Sequence, residues 1–319
     1  MKIAFVGKGG SGKSTICSLF IKYLEKKEQV GIAVDADMNI HLPILLGCSI
    51  DPKHALSLPE NSLKVKEYLK GTNARIKDAS SIVKSTPPGR GSCFLTCNAD
   101  HPILSSFASS LGHFGFLLHV GTYEKDGIGE SCYHTNLAIF ESLLSHTFLK
   151  KNEWLVADMV AGTDAFAGTL HAQFDAIVLI VEPTPEGVSV FKQYMELAKA
   201  AKVDDYIYAL GNKIDDDEDM VYLQSNIGSK LVGFFRRQLY LKRSRQSGET
   251  IDIEKIEGVE NVFDRLIEIT RRNIETEDHR ISLLHDLHLK HAQADYVIAR
   301  YGDLSEQIDP DFSLRDVQL

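Results

Sequence analysis

A glycine-rich segment near the start of the chain carries the residues best suited to chemistry. It reads Gly7-Lys8-Gly9-Gly10-Ser11-Gly12-Lys13-Ser14-Thr15. Glycines let backbone N–H groups turn toward an anion, Lys13 offers a cation to β and γ phosphate oxygens, and the Ser14 hydroxyl is a ligand for Mg²⁺. The spacing G-x-x-x-x-G-K-[ST] therefore predicts a phosphate loop in which residues 9–15 bind a nucleoside triphosphate.

The same glycines also satisfy G-x-G-x-x-G, the dinucleotide fingerprint, and an acidic residue, Asp35, closes the next apolar run. A dinucleotide fold has no use for a lysine and a hydroxyl directly after its last glycine, whereas a triphosphate needs both. Lys13 and Ser14 therefore favour the phosphate loop. A helix that begins at Ser14 adds the positive end of its dipole to the site.

The elements around this loop predict an α/β fold. Short apolar runs at 3–6 and 30–34 flank a segment with helix-period apolar positions at 16–27, which is a βαβ unit with parallel strands. Further strands are predicted at 115–120, 154–157, 176–181, 206–210 and 231–235. Helical segments separate most of them, which predicts a doubly wound, mostly parallel sheet with helices on both faces.

The domain organisation follows from where this alternation stops. We expect residues 1–258 to form one P-loop ATPase domain, with the proline-containing stretch 51–112 as an irregular excursion from the sheet. Residues 259–319 have few helix breakers and predict a C-terminal extension of one or two helices packed on or beside it. His285, His288 and His291 fall on this extension, where their spacing favours a solvated face over a ligand set.

Composition restricts the function classes. The 319-residue chain carries a net charge of −9, which argues against broad nucleic-acid binding. The basic stretch at 236–245 is a candidate nucleic-acid patch, a solvated face or a neighbour of the nucleotide loop. The chain has no apolar run near the roughly 18 residues that span a bilayer, nor a signal peptide, so the expected location is cytoplasmic. Five cysteines do not indicate a disulfide framework.

Lys8 adds a second lysine to the loop. Lys8 to Thr15 matches K-G-G-x-G-K-[ST]-T without exception, and here the sequence resembles the deviant Walker A ATPases. That family includes the MinD and ParA ATPases, the nitrogenase iron protein and the nickel-insertion ATPases of carbon monoxide dehydrogenase. The resemblance implies a slow, switch-type ATPase that closes as a homodimer around two ATP molecules. It also implies that Lys8 acts across the dimer on the partner's phosphates.

Three later segments follow the family order. The resemblance implies that Asp37, in a D-x-D segment, orients the attacking water and lies near Mg²⁺; a capping aspartate at a strand end is the alternative. Asp158 would hold Mg²⁺ and Gly162 would let switch II swing when the γ-phosphate leaves. Asn212 and Lys213 resemble the element that contacts the adenine.

The likeness is strongest to the nickel-insertion (CooC-type) ATPases. Their D-M-E-A-G segment corresponds to residues 158–162, and their V-E-P-[ST] segment corresponds to residues 181–184. Their C-x-C-P motif is altered here to Cys132-Tyr133-His134-Thr135. Two subunits would then contribute Cys132 and His134 to a site suited to Zn²⁺ or Ni²⁺. The alternative is that the metal site has been lost.

The leading hypothesis is a Mg-ATP-dependent, dimerising ATPase that switches its affinity for a client protein or a metal, as in metallocentre maturation. A second hypothesis is a positioning ATPase that binds DNA, membrane or a partner in its ATP state. The acidic balance and the lack of a terminal amphipathic basic helix disfavour it. An ATP-dependent amidoligase is a third, without a recognisable glutaminase cysteine in the chain.

Overall fold

The strand–loop–helix–strand unit at the start of the chain is present in the computed structural model, which describes residues 1–122, 133–273, 277–314 and 317. Strand β1 spans Lys2–Gly7, helix α1 spans Lys13–Lys26 and strand β2 spans Val30–Ala36. Side chains that recur at helix spacing along α1, among them Ile16 and Phe20, are buried. This apolar stripe holds the helix on the sheet.

The remaining strands extend the sheet on both sides of β1. They are β3 (Ser109–Leu111), β4 (Gly115–His119), β5 (Glu153–Met159), β6 (Ala176–Val181), β7 (Ile207–Ile214) and β8 (Leu231–Arg236). Across the described sheet the order is β3-β4-β2-β5-β1-β6-β7-β8, and only the β3–β4 pair is antiparallel. The predicted doubly wound, mostly parallel fold is confirmed.

Helices connect the strands and cover the sheet. Before β7 they are α2 (Leu42–Leu46), α3 (Pro59–Lys70), α4 (Pro102–Phe107), α5 (Tyr133–Ser145) and α6 (Pro185–Ala200). After β7 they are α7 (Asp217–Ile227), α8 (Leu239–Ser247), α9 (Val259–Arg272), α10 (Glu277–Ala292) and α11 (Asp295–Tyr301). None of the helices in the described part of the chain has the length and apolarity to cross a bilayer.

Two apolar clusters fill the two faces of the sheet. On one face, Phe20 of α1 contacts Trp154 of β5 and Phe263 of α9, with ring centroids 5.6 and 5.2 Å apart. On the other, Phe140 of α5 and Phe191 of α6 belong to a second buried cluster. Because both faces are covered, the polar ends of the parallel strands are the places left for a ligand, and the carboxyl ends share one edge.

The excursion at 51–112 is more regular than its prolines suggest. Helix α3 has twelve residues, begins at Pro59, where a missing N–H costs nothing, and buries Val65 and Leu69. The excursion also anchors the C-terminal end of the chain. The Arg90 guanidinium donates to both carboxylate oxygens of Asp309, at 2.7 and 2.8 Å.

The C-terminal extension has three helices among the described residues, not the one or two predicted. Helix α9 packs on α1 and β8, while α10 and α11 follow it. An extended backbone at Ala294 (φ −70°, ψ 132°) separates α10 from α11. The sequence has no glycine or proline at that turn, so it gives no local signal that the helix ends there.

The prediction of a solvated histidine face on α10 is wrong. His288 is fully buried, and its Nδ1 lies 3.0 Å from Ser85 Oγ while its Nε2 lies 2.8 Å from the Leu304 carbonyl oxygen. His291 is half-buried, with its Nδ1 2.8 Å from the same Ser85 Oγ. The excursion and the segment after α11 cover this side of the helix, which sequence periodicity alone does not reveal.

Candidate functional site

The glycine-rich loop leaves β1 at Gly7 and enters α1 at Lys13. Gly10 and Gly12 have φ of +85° and +95°, the left-handed region that glycine adopts without strain. A Cβ on Gly12 would lie 2.3 Å from Asn212 Nδ2, so a side chain does not fit there. No side chain caps the start of α1, which leaves the N–H groups of its first turn to bind an anion.

Lys13 joins two carboxylates at the centre of the site. Its Nζ lies 2.8 Å from Asp37 Oδ2 and 2.8 Å from Asp158 Oδ1. Asp37 directly follows β2 and Asp158 lies in β5, and these two strands are paired with Asp35 opposite Asp158. The sheet topology thus brings together three residues that are 24 and 145 positions apart in sequence.

The charges of this cluster do not balance. Burial alone would lower the pKa of Lys13, but the Asp158 and Asp37 carboxylates outweigh it and raise that pKa. Burial would raise the pKa of Asp37, but the nearby Lys13 ammonium has the larger effect and the pKa is lowered. At Asp158 burial has the larger effect, and the pKa is raised in spite of Lys13. Asp158 Oδ2 is buried without a hydrogen-bond partner in the described part of the chain. One lysine therefore compensates two carboxylates incompletely.

A divalent cation fits this surplus of negative charge. Mg²⁺ prefers oxygen ligands and is typically held by one or two carboxylates together with substrate phosphates and water. Asp158 supplies an unsatisfied carboxylate oxygen, and the side chain of Ser14 is close enough to lower the Asp158 pKa. Among the described residues, no group of three or more His, Cys, Asp or Glu could hold a metal ion. A cation at Asp158 would therefore also need ligands from phosphate and water.

Asp35 is a residue of this site that the sequence analysis left without a role. It is fully buried; its Oδ1 accepts the Asp37 N–H at 3.1 Å and its Oδ2 accepts the Leu42 N–H at 2.9 Å. Burial, and then the neighbouring Asp158 charge, raise the pKa of Asp35 to about 7. Asp35 therefore positions the segment that carries Asp37. The spacing of two residues between Asp35 and Asp37 was the sequence signal that could have assigned Asp35 to the site.

Asn212 and Lys213 approach the loop from the end of β7. The Asn212 side chain donates to the Ser11 carbonyl at 2.7 Å, and Lys213 Nζ donates to the Gly10 carbonyl at 2.6 Å. Successive strand residues normally point to opposite faces. Here the register with β8 shifts between Asn212 and Ile214, and Lys213 has a left-handed backbone (φ 60°), so both side chains reach the loop.

Glu182, which the motif comparison placed in the V-E-P-T segment without a role, belongs to the same arrangement. Its carboxylate Oε1 forms an ion pair with Lys213 Nζ. Lys213 is therefore held between β6, which ends at Val181, and the phosphate loop. Substitution of either partner is expected to loosen the support of the loop at Gly10.

A cavity of about 650 Å³ opens beside the loop on the β7–β8 side; we call it the β7–β8 cavity. Its lining includes Gly12, Thr15, Asn212, Lys213, Asp215, Arg236, Arg237, Gln238, Leu239 and Lys242. Its volume lies in the range of small-molecule sites. Three residues of the basic stretch at 236–245, Arg236, Arg237 and Lys242, lie beside the phosphate loop in this cavity.

Lys8 and Gly162 differ from the buried residues of the site. Lys8 is exposed, and its ammonium has no ion-pair or hydrogen-bond partner among the residues that the structure describes. Gly162 follows β5, has φ +92°, and donates its N–H to the Gly7 carbonyl at 3.2 Å. The predicted switch II glycine thus lies directly against the start of the phosphate loop.

The cysteines add no second site in the described residues. Cys132 and the side chain of His134 lie outside those residues, so their role as metal ligands stays a prediction. Cys93 and Cys97 have free thiols.

No family model matches the chain. Curated relatives do: an uncharacterized ATP-binding protein of Methanocaldococcus jannaschii is 23% identical over 273 residues, covering 84% of this chain and 98% of the relative. The carbon monoxide dehydrogenase accessory protein CooC of Rhodospirillum rubrum is 28% identical over 225 residues, covering 70% of this chain and 78% of the relative.

Solved structures share the architecture. A ParA family ATPase from Chlorobium tepidum TLS superposes with a TM-score of 0.55 at 16% identity, covering 83% of this chain and 97% of that one. MinD in the MinC:MinD complex of Aquifex aeolicus superposes with a TM-score of 0.50 at 14% identity, covering 86% and 96%. Fold and relatives together match the MinD/ParA-like P-loop ATPases. Within that class the chain is similar to CooC, as its sequence motifs predicted.

Proposed function

We propose that the chain is a Mg-ATP-dependent ATPase that acts as a nucleotide switch and closes as a homodimer. The observation that carries the proposal is the cluster of Lys13, Asp37 and Asp158 beside a glycine loop whose helix has no side-chain cap. A phosphate-binding lysine, a carboxylate for Mg²⁺ and a carboxylate for water then converge at one point. The ATP-binding relatives support the same activity.

Binding of a triphosphate would redistribute the partners of Lys13. Its ammonium, now shared by two carboxylates, would move to the β and γ oxygens, where a point charge offsets developing negative charge. Asp158 and Ser14 would hold Mg²⁺, which supplies further charge neutralisation when bound. Loss of the lysine partner leaves Asp37 with an unpaired carboxylate oxygen.

Asp37 would orient the attacking water. Its Oδ1 already accepts the backbone and side-chain N–H groups of Asn39, both at 3.0 Å, which leaves Oδ2 as the oxygen that Lys13 releases. Asp35 fixes this geometry by binding the Asp37 N–H. A carboxylate so positioned promotes attack by orientation and by accepting a hydrogen bond.

Lys8 would act in trans. Lys8 is exposed and unpaired in the described part of one subunit, while Lys13, buried beside Asp37, would serve the phosphates in cis. A second cation delivered by the partner subunit would arrive only in the closed dimer. Hydrolysis would thereby depend on dimerisation, in the manner of an arginine finger.

The decisive experiment compares wild type, Lys8→Ala and Lys64→Ala, an exposed lysine of α3 that serves as the matched control. Size-exclusion chromatography with light scattering and a non-hydrolysable ATP analogue should show analogue-dependent dimers for wild type and Lys64→Ala. We expect Lys8→Ala to bind nucleotide but to lose about 10³-fold in turnover. Monomers at every analogue concentration would refute the switch, and unaltered turnover in Lys8→Ala would refute the trans lysine.

The cellular role that fits best is metallocentre maturation through an as yet unidentified client protein. Support comes from the motifs shared with CooC-type ATPases and from the similarity to CooC itself. We extend the proposal to Cys132 and His134, which two subunits would combine into a Cys₂His₂ site for Zn²⁺ or Ni²⁺ as cargo.

Anaerobic titration with Zn²⁺ and Ni²⁺ tests this extension, with and without the ATP analogue. We expect one metal per dimer in the analogue-bound state and none for Cys132→Ala. The matched control is Cys93→Ala, which should bind as wild type does. Absence of binding in both nucleotide states would exclude the metal role and leave the ATPase proposal intact.

A further inference from the structure

One ion pair in the β7–β8 cavity has no role in the chemistry proposed so far. Arg237 Nε donates to Asp215 Oδ1 at 2.8 Å, and Arg237 Nη2 donates to Asp215 Oδ2 at 3.2 Å. Both side chains are 58% exposed. Exposed pairs of this kind contribute little to stability. The pair therefore invites an explanation in terms of what the cavity binds.

The order of the strands indicates on which side of β1 each end of a bound nucleotide would lie. β5 and β2, which place Asp158 and Asp37, lie on one side of β1, while β6, β7 and β8 lie on the other. The γ-phosphate and Mg²⁺ belong on the carboxylate side. The α-phosphate end of the nucleotide then faces Thr15 and the β7–β8 cavity, which shares Gly12 and Thr15 with the loop. A nucleotide bound in this direction would place its ribose and base in the cavity that contains Asp215 and Arg237.

The two purine bases make different demands on this cavity. Guanine presents two adjacent donors, N1–H and the N2 amino group, and a free carboxylate accepts both at once. Adenine has no such donor pair, since its N1 is an acceptor beside the N6 amino group. A free Asp215 would thus favour guanine, but both of its oxygens already accept hydrogen bonds from Arg237.

A neighbouring side chain in the cavity has the chemistry that adenine requires. Gln238 lines the cavity and does not use its side chain to cap α8. A primary amide carries both a donor and an acceptor, the combination that recognises an adenine edge. The cavity therefore offers an amide while its carboxylate is occupied.

We propose that the Asp215–Arg237 ion pair sets the base preference of the site: by occupying the Asp215 carboxylate, Arg237 makes the cavity select adenine over guanine. The inference rests on the proposed nucleotide binding and adds its base specificity. Removal of Arg237 should free Asp215 to accept the guanine donors. Removal of both side chains should abolish that gain.

The test measures dissociation constants for ribose-labelled fluorescent ADP and GDP, which avoid hydrolysis and dimer closure. Wild type is compared with Arg237→Ala, with the double variant Arg237→Ala/Asp215→Asn, and with Arg272→Ala. Arg272 is the matched control because it is an exposed arginine of α9 that pairs with an exposed carboxylate, Glu268, at 3.0 Å and does not line the cavity. Circular dichroism and urea unfolding check that each variant is folded.

We expect wild type and Arg272→Ala to prefer ADP to the same extent. In Arg237→Ala the ADP-to-GDP preference should shift about tenfold toward GDP, because charge-assisted bonds to guanine become available. The double variant should return to the wild-type preference. Equal weakening of both nucleotides would make Arg237 a phosphate contact and overturn the proposal, as would an unchanged ratio or a wild-type preference for GDP. Failure of wild type to bind either nucleotide would instead refute the proposed function, and this inference with it.

Discussion

Two buried polar networks of the molecule differ in how completely they are satisfied. At the phosphate site, Lys13 is shared by two carboxylates and Asp158 Oδ2 has no hydrogen-bond partner among the described residues. At the second network, which we call the histidine junction, Ser85 lies between His288 and His291. Unsatisfied buried polar groups are costly, so the open oxygen of Asp158, directly beside a lysine and a glycine loop suited to phosphate, is in a position to bind a cation.

The histidine junction has one self-consistent set of protons. The Leu304 carbonyl can only accept, so His288 Nε2 carries a proton and His288 Nδ1 accepts from the Ser85 hydroxyl. Because the Ser85 hydroxyl has already donated its proton to His288, it accepts a hydrogen bond from His291 Nδ1. His291 Nε2 then accepts from the Tyr296 hydroxyl at 2.9 Å. Burial lowers the pKa of His288, and lowers that of His291 to about 4, in keeping with neutral rings.

Burial and polarity do not by themselves mark a functional site. Both networks are buried, and both join segments distant in sequence. The junction closes on itself and attaches the C-terminal helices to the excursion. The phosphate site leaves a negative charge uncompensated. Substitutions at the two networks should therefore have different effects on stability and on nucleotide binding.

The largest effect is expected for Lys13→Met. Two buried carboxylates would lose the cation that pairs with them among the described residues, which should lower the free energy of unfolding by about 3 kcal/mol. Nucleotide affinity should fall more than about 100-fold, since the phosphate cation is also lost. Urea unfolding and titration with fluorescent ADP measure the two effects. Added Asp37→Asn should recover part of the stability in a double-mutant cycle; strict additivity would show that the pair does not form in solution.

Asp37→Asn should separate binding from turnover. We expect turnover to fall about 100-fold while ADP binding is not weakened, because the variant loses the water-orienting carboxylate but relieves Lys13 of one partner. Steady-state hydrolysis and ADP titration make the distinction. A purely capping aspartate would instead lower stability and leave turnover as in wild type.

Ser85→Ala should show the opposite pattern at the histidine junction. Loss of a hydroxyl bonded to two imidazoles is expected to lower the free energy of unfolding by about 1–2 kcal/mol. Turnover and nucleotide affinity should stay within about twofold of wild type. The exposed Ser229 is the matched control, since Ser229→Ala should change neither property. A large loss of turnover in Ser85→Ala would mean that the junction is coupled to the phosphate site.

The smallest effect concerns acid stability at Asp309, which attaches the chain end to the excursion. The hydrogen-bonded Arg90 guanidinium lowers the pKa of Asp309 to about 2, below its ordinary 3.8. The pair's contribution is therefore complete above the ordinary pKa and is lost as pH falls from about 4 through about 2. Arg90 is 65% exposed, so solvent screens the pair and we expect its contribution to stability to be small.

Urea unfolding of wild type and Arg90→Ala at pH 6, 4 and 3 checks this window. The difference between the two proteins should be constant from pH 6 to 4 and smaller at pH 3. A difference that grows on acidification would have the wrong sign for a carboxylate with a lowered pKa.

The sequence alone determined the elements whose signals are local. Apolar runs located all the central strands, because buried parallel strands are continuous hydrophobic segments. The glycine and lysine spacing located the phosphate loop, because phosphate recognition there uses consecutive backbone groups. The break between α10 and α11 and the order inside residues 51–112 were missed, since tertiary contacts rather than glycine or proline decide them.

Only the tertiary structure decided which carboxylates pair with Lys13 and which polar side chains are buried. That Lys13 meets both Asp37 and Asp158 depends on β2 and β5 lying side by side, which no spacing along the chain encodes. The burial of Asp35 and the inward position of His288 likewise depend on which segments cover them. Motifs name the chemical groups at a site, whereas packing sets their distances and burial, and these determine their charges and partners.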